Sequence, residues 1–223
     1  MAEPVFSTKT LTFLRALTRH NDREWFKAHK ADYESHVKAP LLELLARLEP
    51  DLHAFAPEYV AHPKVSLFRI YRDTRFSANK APLKTNAAAH FPHREILKRG
   101  GGFYMEVTPQ RVFMGGGVYM PEPADLLRIR ERIAADPQRF TRIIRAKAFT
   151  GVVGEMRGTQ LSRVPRGFRA DHPAADLLRY KQFLAAREFP PEFAYDPGFY
   201  PELLRVFRAT APLLRFLNEA MLG

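Results

Sequence analysis

The chain has 223 residues, of which 46% are hydrophobic, and carries a net charge of +11. This length fits one large domain, and the hydrophobic fraction is enough for a sizeable core. The absence of cysteine excludes disulfides, thiolate chemistry, thiolate-ligated zinc and iron–sulfur clusters. The first residues lack the features of a secretory signal, and no run of about 18 apolar residues occurs, so we expect a cytoplasmic protein without a membrane partner.

The N-terminal part, residues 7–56, has the pattern of helices. Leucines at helical spacing predict one helix that ends near Arg19 and a longer one over residues 31–55. Between them Asn21 is followed three residues later by Glu24, which resembles a capping box. Pro40 is expected to kink or split the longer helix.

Residues 64–119 are predicted to form a β-rich core. Strands are expected at 65–70 and 85–92, and a hairpin joins 102–108 to 111–114. Because these strands follow one another with short connections, we expect an antiparallel sheet.

The remaining residues, 122–223, are predicted to be helical, with one possible added strand. Pro123 and Pro137 suit the first turns of two helices. The expected elements are helices at 123–134, 137–149 and 172–180, a loop at 150–172, a strand at 182–189, and a C-terminal helix kinked or divided at Pro212. The whole predicts a single α+β domain, 1–223, with a mostly antiparallel central sheet and helices packed from both chain ends.

The segment 69–85, the cationic loop, carries the strongest functional signal. Five cations and one carboxylate lie within sixteen residues, with Tyr71 and Phe76 interleaved. Such a cluster repels itself unless an anion, carboxylates or solvent compensates it. We therefore predict binding of a phosphate- or carboxylate-bearing ligand, and leave catalysis open with Asp73 as the candidate general base. The predicted ligand-binding residues are Arg69, Arg72, Asp73, Arg75, Lys80 and Lys84.

Two alternatives stay open. The loop can instead be a structural or interaction element without a ligand, salt-bridged to acidic residues of the N-terminal helices. The expected partners are Asp22, Glu24, Asp32 and Glu34. The other alternative, ranked lower, is non-specific nucleic-acid binding, because residues 61–170 carry 21 Lys and Arg against 8 Asp and Glu. Arg139, Arg142 and Arg145 would have to share one surface with the loop; a solvated helix face is the simpler reading of that stripe.

Other motifs carry less. The glycine runs 100–102 and 115–117 match no phosphate-binding fingerprint and indicate bends or bulges. His90 and His93 lack a metal-ligand spacing, so we predict no metal and no cofactor. An enzyme would need a further polar group beside Asp73, and the hairpin offers the candidates Tyr104, Glu106, His90 and Tyr119. The oligomeric state stays open.

Several landmarks make the chain resemble a family known as domain of unknown function 2461. The most specific is the run from Phe68 to Phe76, which reads Phe-Arg-Ile-Tyr-Arg-Asp-Thr-Arg-Phe. Further landmarks are Phe13-Leu14, Asn21 to Phe26, Lys80, Pro82, Lys84-Thr85, Gly102 to Tyr104, Gly115 to Gly117, Pro121, Ile129-Arg130, Pro165 to Gly167, and Asp171 to Pro173. The chain departs from the pattern at Leu83, where the family usually has an aromatic residue. The resemblance implies a compact α+β fold and a cytoplasmic protein, and brings no activity with it.

Overall fold

The computed structural model describes residues 3–75 and 77–223. The helices are α1 (Thr8–Arg19), α2 (Arg23–Ala28), α3 (Lys30–Tyr33), α4 (Ala39–Phe55), α5 (Pro63–Ser66), α6 (Pro123–Ala135), α7 (Pro137–Arg145), α8 (Lys147–Val153), α9 (Ala175–Leu178) and α10 (Phe199–Leu222). A π-helical turn (Glu34–Lys38) precedes α4, and a 3₁₀ turn (Pro191–Tyr195) precedes α10. The strands are β1 (Ala87–Pro92), β2 (Gly102–Val107), β3 (Val112–Val118) and β4 (Phe183–Phe189). No helix within the described ranges combines the length and apolarity needed to cross a membrane.

The four strands form an antiparallel sheet in the order β1-β2-β3-β4. Together with the helices that flank it in sequence, this sheet confirms the predicted α+β class. β1 and β4 fall inside the ranges predicted for strands, and β2 and β3 form the predicted hairpin. The glycines 115–117 lie within β3 rather than closing it.

The long helix α10 packs on one face of the sheet. The rings of Phe103 on β2 and Phe207 on α10 stack with centroids 4.7 Å apart. A Cβ at Gly116 would stand 2.9 Å from Leu214, so the missing side chain lets the helix approach β3 closely. Helix α10 is continuous through Pro212, so of the two predicted alternatives the division into two segments is wrong, and the kink stays a prediction.

The predicted break at Pro40 takes the form of the π-helical turn before it. Pro40 has no N–H to donate to the carbonyl of His36, four residues earlier. The Ala39 N–H donates to the Glu34 carbonyl, five residues back, which is the pattern of a π-helix. The hydroxyl of Thr10, a fully buried residue of α1, donates to the free His36 carbonyl at 2.7 Å. The disruption thus becomes a contact that joins α1 to the α4 region.

The strand predicted at 65–70 is wrong. Pro63 stands in the first turn of the short helix α5, and the His62 imidazole accepts the Lys64 N–H at 3.3 Å, so the local start signal for a helix prevails. The chain becomes extended only after α5, where Leu67 bridges to Ala89 beside β1.

Other bounds differ from the predictions. Helix α8 runs to Val153, into the predicted loop 150–172, and α9 is shorter than the helix predicted at 172–180. The cap of α2 is Asp22 and not Asn21, since the Asp22 carboxylate accepts the Trp25 N–H at 2.7 Å.

Candidate functional site

The two ends of the cationic loop lie side by side. The Arg72 N–H donates to the Pro82 carbonyl and the Lys84 N–H donates to the Ile70 carbonyl, both at 2.8 Å. The loop therefore has a paired base beside β1 and an exposed tip. Phe76, one of the two aromatics noted in its sequence, lies outside the described residues.

The charged side chains at the tip of the loop form hydrogen bonds with other residues of the loop. The Arg75 guanidinium donates to both carboxylate oxygens of Asp73, at 3.0 and 2.7 Å, and the Arg75 N–H also donates to Asp73. These hydrogen bonds lower the pKa of Asp73, which makes this carboxylate a weak general base. The Lys80 ammonium donates to the Thr74 carbonyl at 3.0 Å.

Arg72 stabilises the shape of the loop. Its guanidinium donates to the Ala81 carbonyl at 3.2 Å and to the Ser77 hydroxyl at 3.4 Å. These acceptors are neutral, so the charge of Arg72 is not compensated by a carboxylate within the described chain. One guanidinium therefore braces the loop and leaves a positive charge at its base.

Asn21 joins the loop to the N-terminal helices. Its amide donates to the Leu83 carbonyl and accepts the Leu83 N–H, both at 3.0 Å. The paired geometry mimics a strand partner for Leu83, whose side chain is buried in the core. Leu83, the departure from the family pattern, therefore has a packing role here. Two of the four expected acidic partners act elsewhere: Asp22 caps α2, and Glu34 pairs with Lys38 at 2.7 Å.

An open cleft of about 420 Å³ lies between the base of the loop, the end of α1 and the turn of the β2–β3 hairpin. Most of its lining residues are polar, and the cations Arg72 and Lys84 are among them. The lining residues are Thr18, Asn21, Arg72, Asn79, Ala81, Leu83, Lys84, Thr85, Asn86 and Thr108. Of the six residues predicted to bind a ligand, Arg72 and Lys84 line this cleft.

Lys84 and Arg69 form the electrostatic centre of the site. The Lys84 ammonium lies 4.6 Å from the centroid of the Phe68 ring. Burial, and then the neighbouring charge of Arg69, lower the pKa of Lys84. No carboxylate of the described residues forms an ion pair with either cation. A half-buried ammonium beside a second cation is a position at which an anion gains stabilisation from both.

A polar network lies next to the cleft on the sheet. Asn86, which lines the cleft, donates to Glu106 at 3.1 Å, and the Tyr104 hydroxyl donates to the same oxygen at 3.0 Å. Arg111 pairs with Glu106 at 3.2 Å and with Glu188 at 2.9 Å. Burial and the adjacent Glu106 raise the pKa of Tyr104, so its hydroxyl stays a hydrogen-bond donor. The network fixes the side chain of Asn86 at the edge of the cleft.

The other sequence candidates lie in varied settings. His90 is partly buried on β1, and burial lowers its pKa. Tyr119 is 65% exposed just after β3. Within residues 3–75 and 77–223, no three His, Asp or Glu side chains come together as metal ligands would. Arg139 donates to both carboxylate oxygens of Glu219 on α10, at 2.8 Å each, so the arginine stripe is partly paired.

Sequence reasoning missed Asn21 and Asn86 as site residues. Asn21 has the sequence pattern of a helix cap, and its partner Leu83 is distant in sequence. No local pattern marks Asn86, because its hydrogen bond to Glu106 depends on strand register. The one available signal was the alternation in β2, which places Tyr104 and Glu106 on the same face.

The fold and the site define an α+β protein whose antiparallel sheet borders a cationic cleft. The model of a family described as conserved hypothetical protein (DUF2461) matches residues 9–216, and the chain belongs to this family. Comparison with curated proteins found no match.

Proposed function

We propose that the cleft at the base of the cationic loop binds a small ligand bearing a phosphate or carboxylate group. The observation that carries the proposal is Lys84, half-buried at the cleft beside Arg69 and without a carboxylate partner among the described residues. Removing a charge from water without pairing it is unfavourable. A bound anion would supply the missing partner.

The size and lining of the cleft support a small molecule. Its volume, about 420 Å³, falls within the range of roughly 300–1,000 Å³ that is usual for small-ligand pockets. The asparagines and threonines in the lining can orient a polar ligand by hydrogen bonds. Within the loop, Arg72 and Lys84 contact the ligand, Arg69 adds charge from the side, and the tip with Asp73, Arg75 and Lys80 stays outside the cleft. The proposal includes no catalytic step.

A thermal-shift titration at low ionic strength tests this proposal. Inorganic phosphate, sulfate and citrate are the probes, each added to the full chain, to Lys84→Met and to the control Arg142→Met. Arg142 is exposed on α7, so its removal lowers the net charge equally but away from the cleft. A ligand at 100 times its Kd stabilises the native state by about 2.7 kcal/mol.

The wild-type chain and Arg142→Met should gain several degrees in Tm, and Lys84→Met should gain much less. Equal gains for all three proteins would show that the anions act through net charge, and would overturn the proposal. The absence of any gain in the wild-type chain would do the same.

A further inference from the structure

Three aromatic rings stand in a row on the sheet face opposite α10, called here the outer face. Strand alternation places Tyr104 of β2 and Phe113 of β3 on this face, because Phe103 and Met114 are the buried neighbours that point to the core. Phe68 lies beside Tyr104, and its side chain is 46% exposed. The ring centroids are 6.2 Å apart for Phe68 and Tyr104, and 6.0 Å apart for Tyr104 and Phe113.

Both small and large residues flank these rings, and His90 of β1 lies directly opposite Tyr104. Register places Gly115 opposite Tyr104, and Ala186 of β4 opposite Gly115. Ala88 of β1 lies opposite Glu106. Ala88, Gly115 and Ala186 are themselves buried, so the ring that a planar group can reach is the exposed one, Phe68.

The row of rings begins at the anion site. Phe68, Arg69, Lys84 and Asn86 together line a narrow crevice, and Lys84 and Asn86 also line the main cleft. The Lys84 ammonium lies over the Phe68 ring. A group attached to an anion held by Lys84 would therefore meet Phe68 first.

The charges of the outer face balance beyond Tyr104. The carboxylates Glu106 and Glu188 lie there, and the two cations nearby, Arg111 and Arg157, are already paired with them. A second phosphate further along the row would face these carboxylates. The charge pattern suits one phosphate at Lys84 and an uncharged ring beside it, rather than a continuous strand of nucleic acid.

We infer that the ligand is a phosphate ester of a planar heteroaromatic compound, such as a nucleoside monophosphate, with its phosphate at Lys84 and its ring against Phe68. This inference rests on the proposed function and adds an aromatic ring to the proposed ligand. Stacking of a base on an aromatic side chain should raise the affinity by roughly 5- to 150-fold.

Isothermal titration calorimetry at low salt tests the inference with inorganic phosphate, ribose 5-phosphate, AMP and oligoadenylates of increasing length. The proteins are the full wild-type chain, Phe68→Leu, which loses the ring, and Phe68→Tyr, which keeps it. AMP should bind about tenfold more tightly than ribose 5-phosphate to the wild-type chain and to Phe68→Tyr. Phe68→Leu should bind the two equally and retain its affinity for ribose 5-phosphate.

Two results would overturn the inference and leave the anion site standing. One is equal affinity of the wild-type chain for AMP and ribose 5-phosphate; the other is a preference for AMP that survives in Phe68→Leu. Affinity that rises steadily with oligoadenylate length would assign the face to single-stranded nucleic acid instead of a mononucleotide. Failure of every phosphate probe to bind would refute the inference and remove phosphate from the proposed function, which would then stand only for a carboxylate-bearing ligand.

Discussion

Replacing Asn21 with alanine should loosen the cationic loop and lower the stability of the whole protein. The change removes two hydrogen bonds, from the Asn21 amide to the Leu83 carbonyl and from the Leu83 N–H to the amide oxygen, each 3.0 Å long and partly buried. A hydrogen bond of this kind contributes about 1 kcal/mol net, and an unpaired partly buried backbone group costs somewhat more, so we expect a loss of about 2–3 kcal/mol. For a chain of this size that is a fall in Tm of about 5–10 °C.

Thermal unfolding followed by circular dichroism measures this loss, with Asn79→Ala as the matched control. Asn79 accepts one N–H, from Ala81, at an exposed position, so its replacement should cost well below half as much. Asn21→Asp should also destabilise the protein, because a carboxylate still accepts the Leu83 N–H but cannot donate to the Leu83 carbonyl. Equal Tm values for the wild-type chain and Asn21→Ala would refute the view that this amide holds the loop.

Three further changes test other parts of the structure. Glu219→Gln removes the exposed pair with Arg139 and should cost about 0.5–1 kcal/mol at neutral pH by urea unfolding. Because that pair lowers the folded pKa of Glu219, the stability it contributes is present above the unfolded pKa and should vanish as pH falls through the folded value. Thr10→Val leaves the His36 carbonyl unpaired in the core and should cost about 1–3 kcal/mol. Gly117→Ala should prevent stable folding, measured as loss of soluble native protein, because its Cβ would stand 2.1 Å from a backbone oxygen of β4.

Control variants distinguish these specific effects from a general loss of stability. Thr12→Val removes an exposed hydroxyl that bonds within its own helix, so a loss equal to that of Thr10→Val would contradict the role given to the π-helical turn. A Cβ at Gly151 in α8 meets no atom within 4 Å, and Gly151→Ala should stabilise by up to about 1 kcal/mol. A stability difference between wild type and Glu219→Gln that persists unchanged at acidic pH would contradict the assignment of the pKa shift.

Local patterns were sufficient to predict most of the sheet and the long helices. In β2 the buried residues Phe103, Met105 and Val107 alternate with Tyr104 and Glu106, and this period of two appears directly in the sequence. The strand expected at 65–70 failed because a proline and a capping histidine impose a helical turn just where the apolar residues begin. Strand propensity alone does not show whether this cap or the pairing beside β1 determines the local structure.

The site was predictable only in part, for a physical reason. The charge density of the sequence identifies the loop but does not distinguish Arg75 from Lys84. Arg75 pairs locally with Asp73, whereas Lys84 is half-buried at the cleft. Which cation stays uncompensated depends on three-dimensional contacts. Likewise Asn21 and Asn86 acquire their roles from partners distant in sequence, Leu83 and Glu106, which no local motif reveals.

The most direct test of the anion site is the pKa of Lys84, measured by NMR of the side-chain ¹³Cε resonance with and without phosphate. Without phosphate its pKa should lie below that of the exposed lysines, since burial and Arg69 disfavour the charged form. Saturating phosphate should raise the pKa of Lys84, while the ¹³Cε resonance of Lys147, exposed at the start of α8, should not shift. A Lys84 pKa that matches the exposed lysines and does not respond to phosphate would contradict the account.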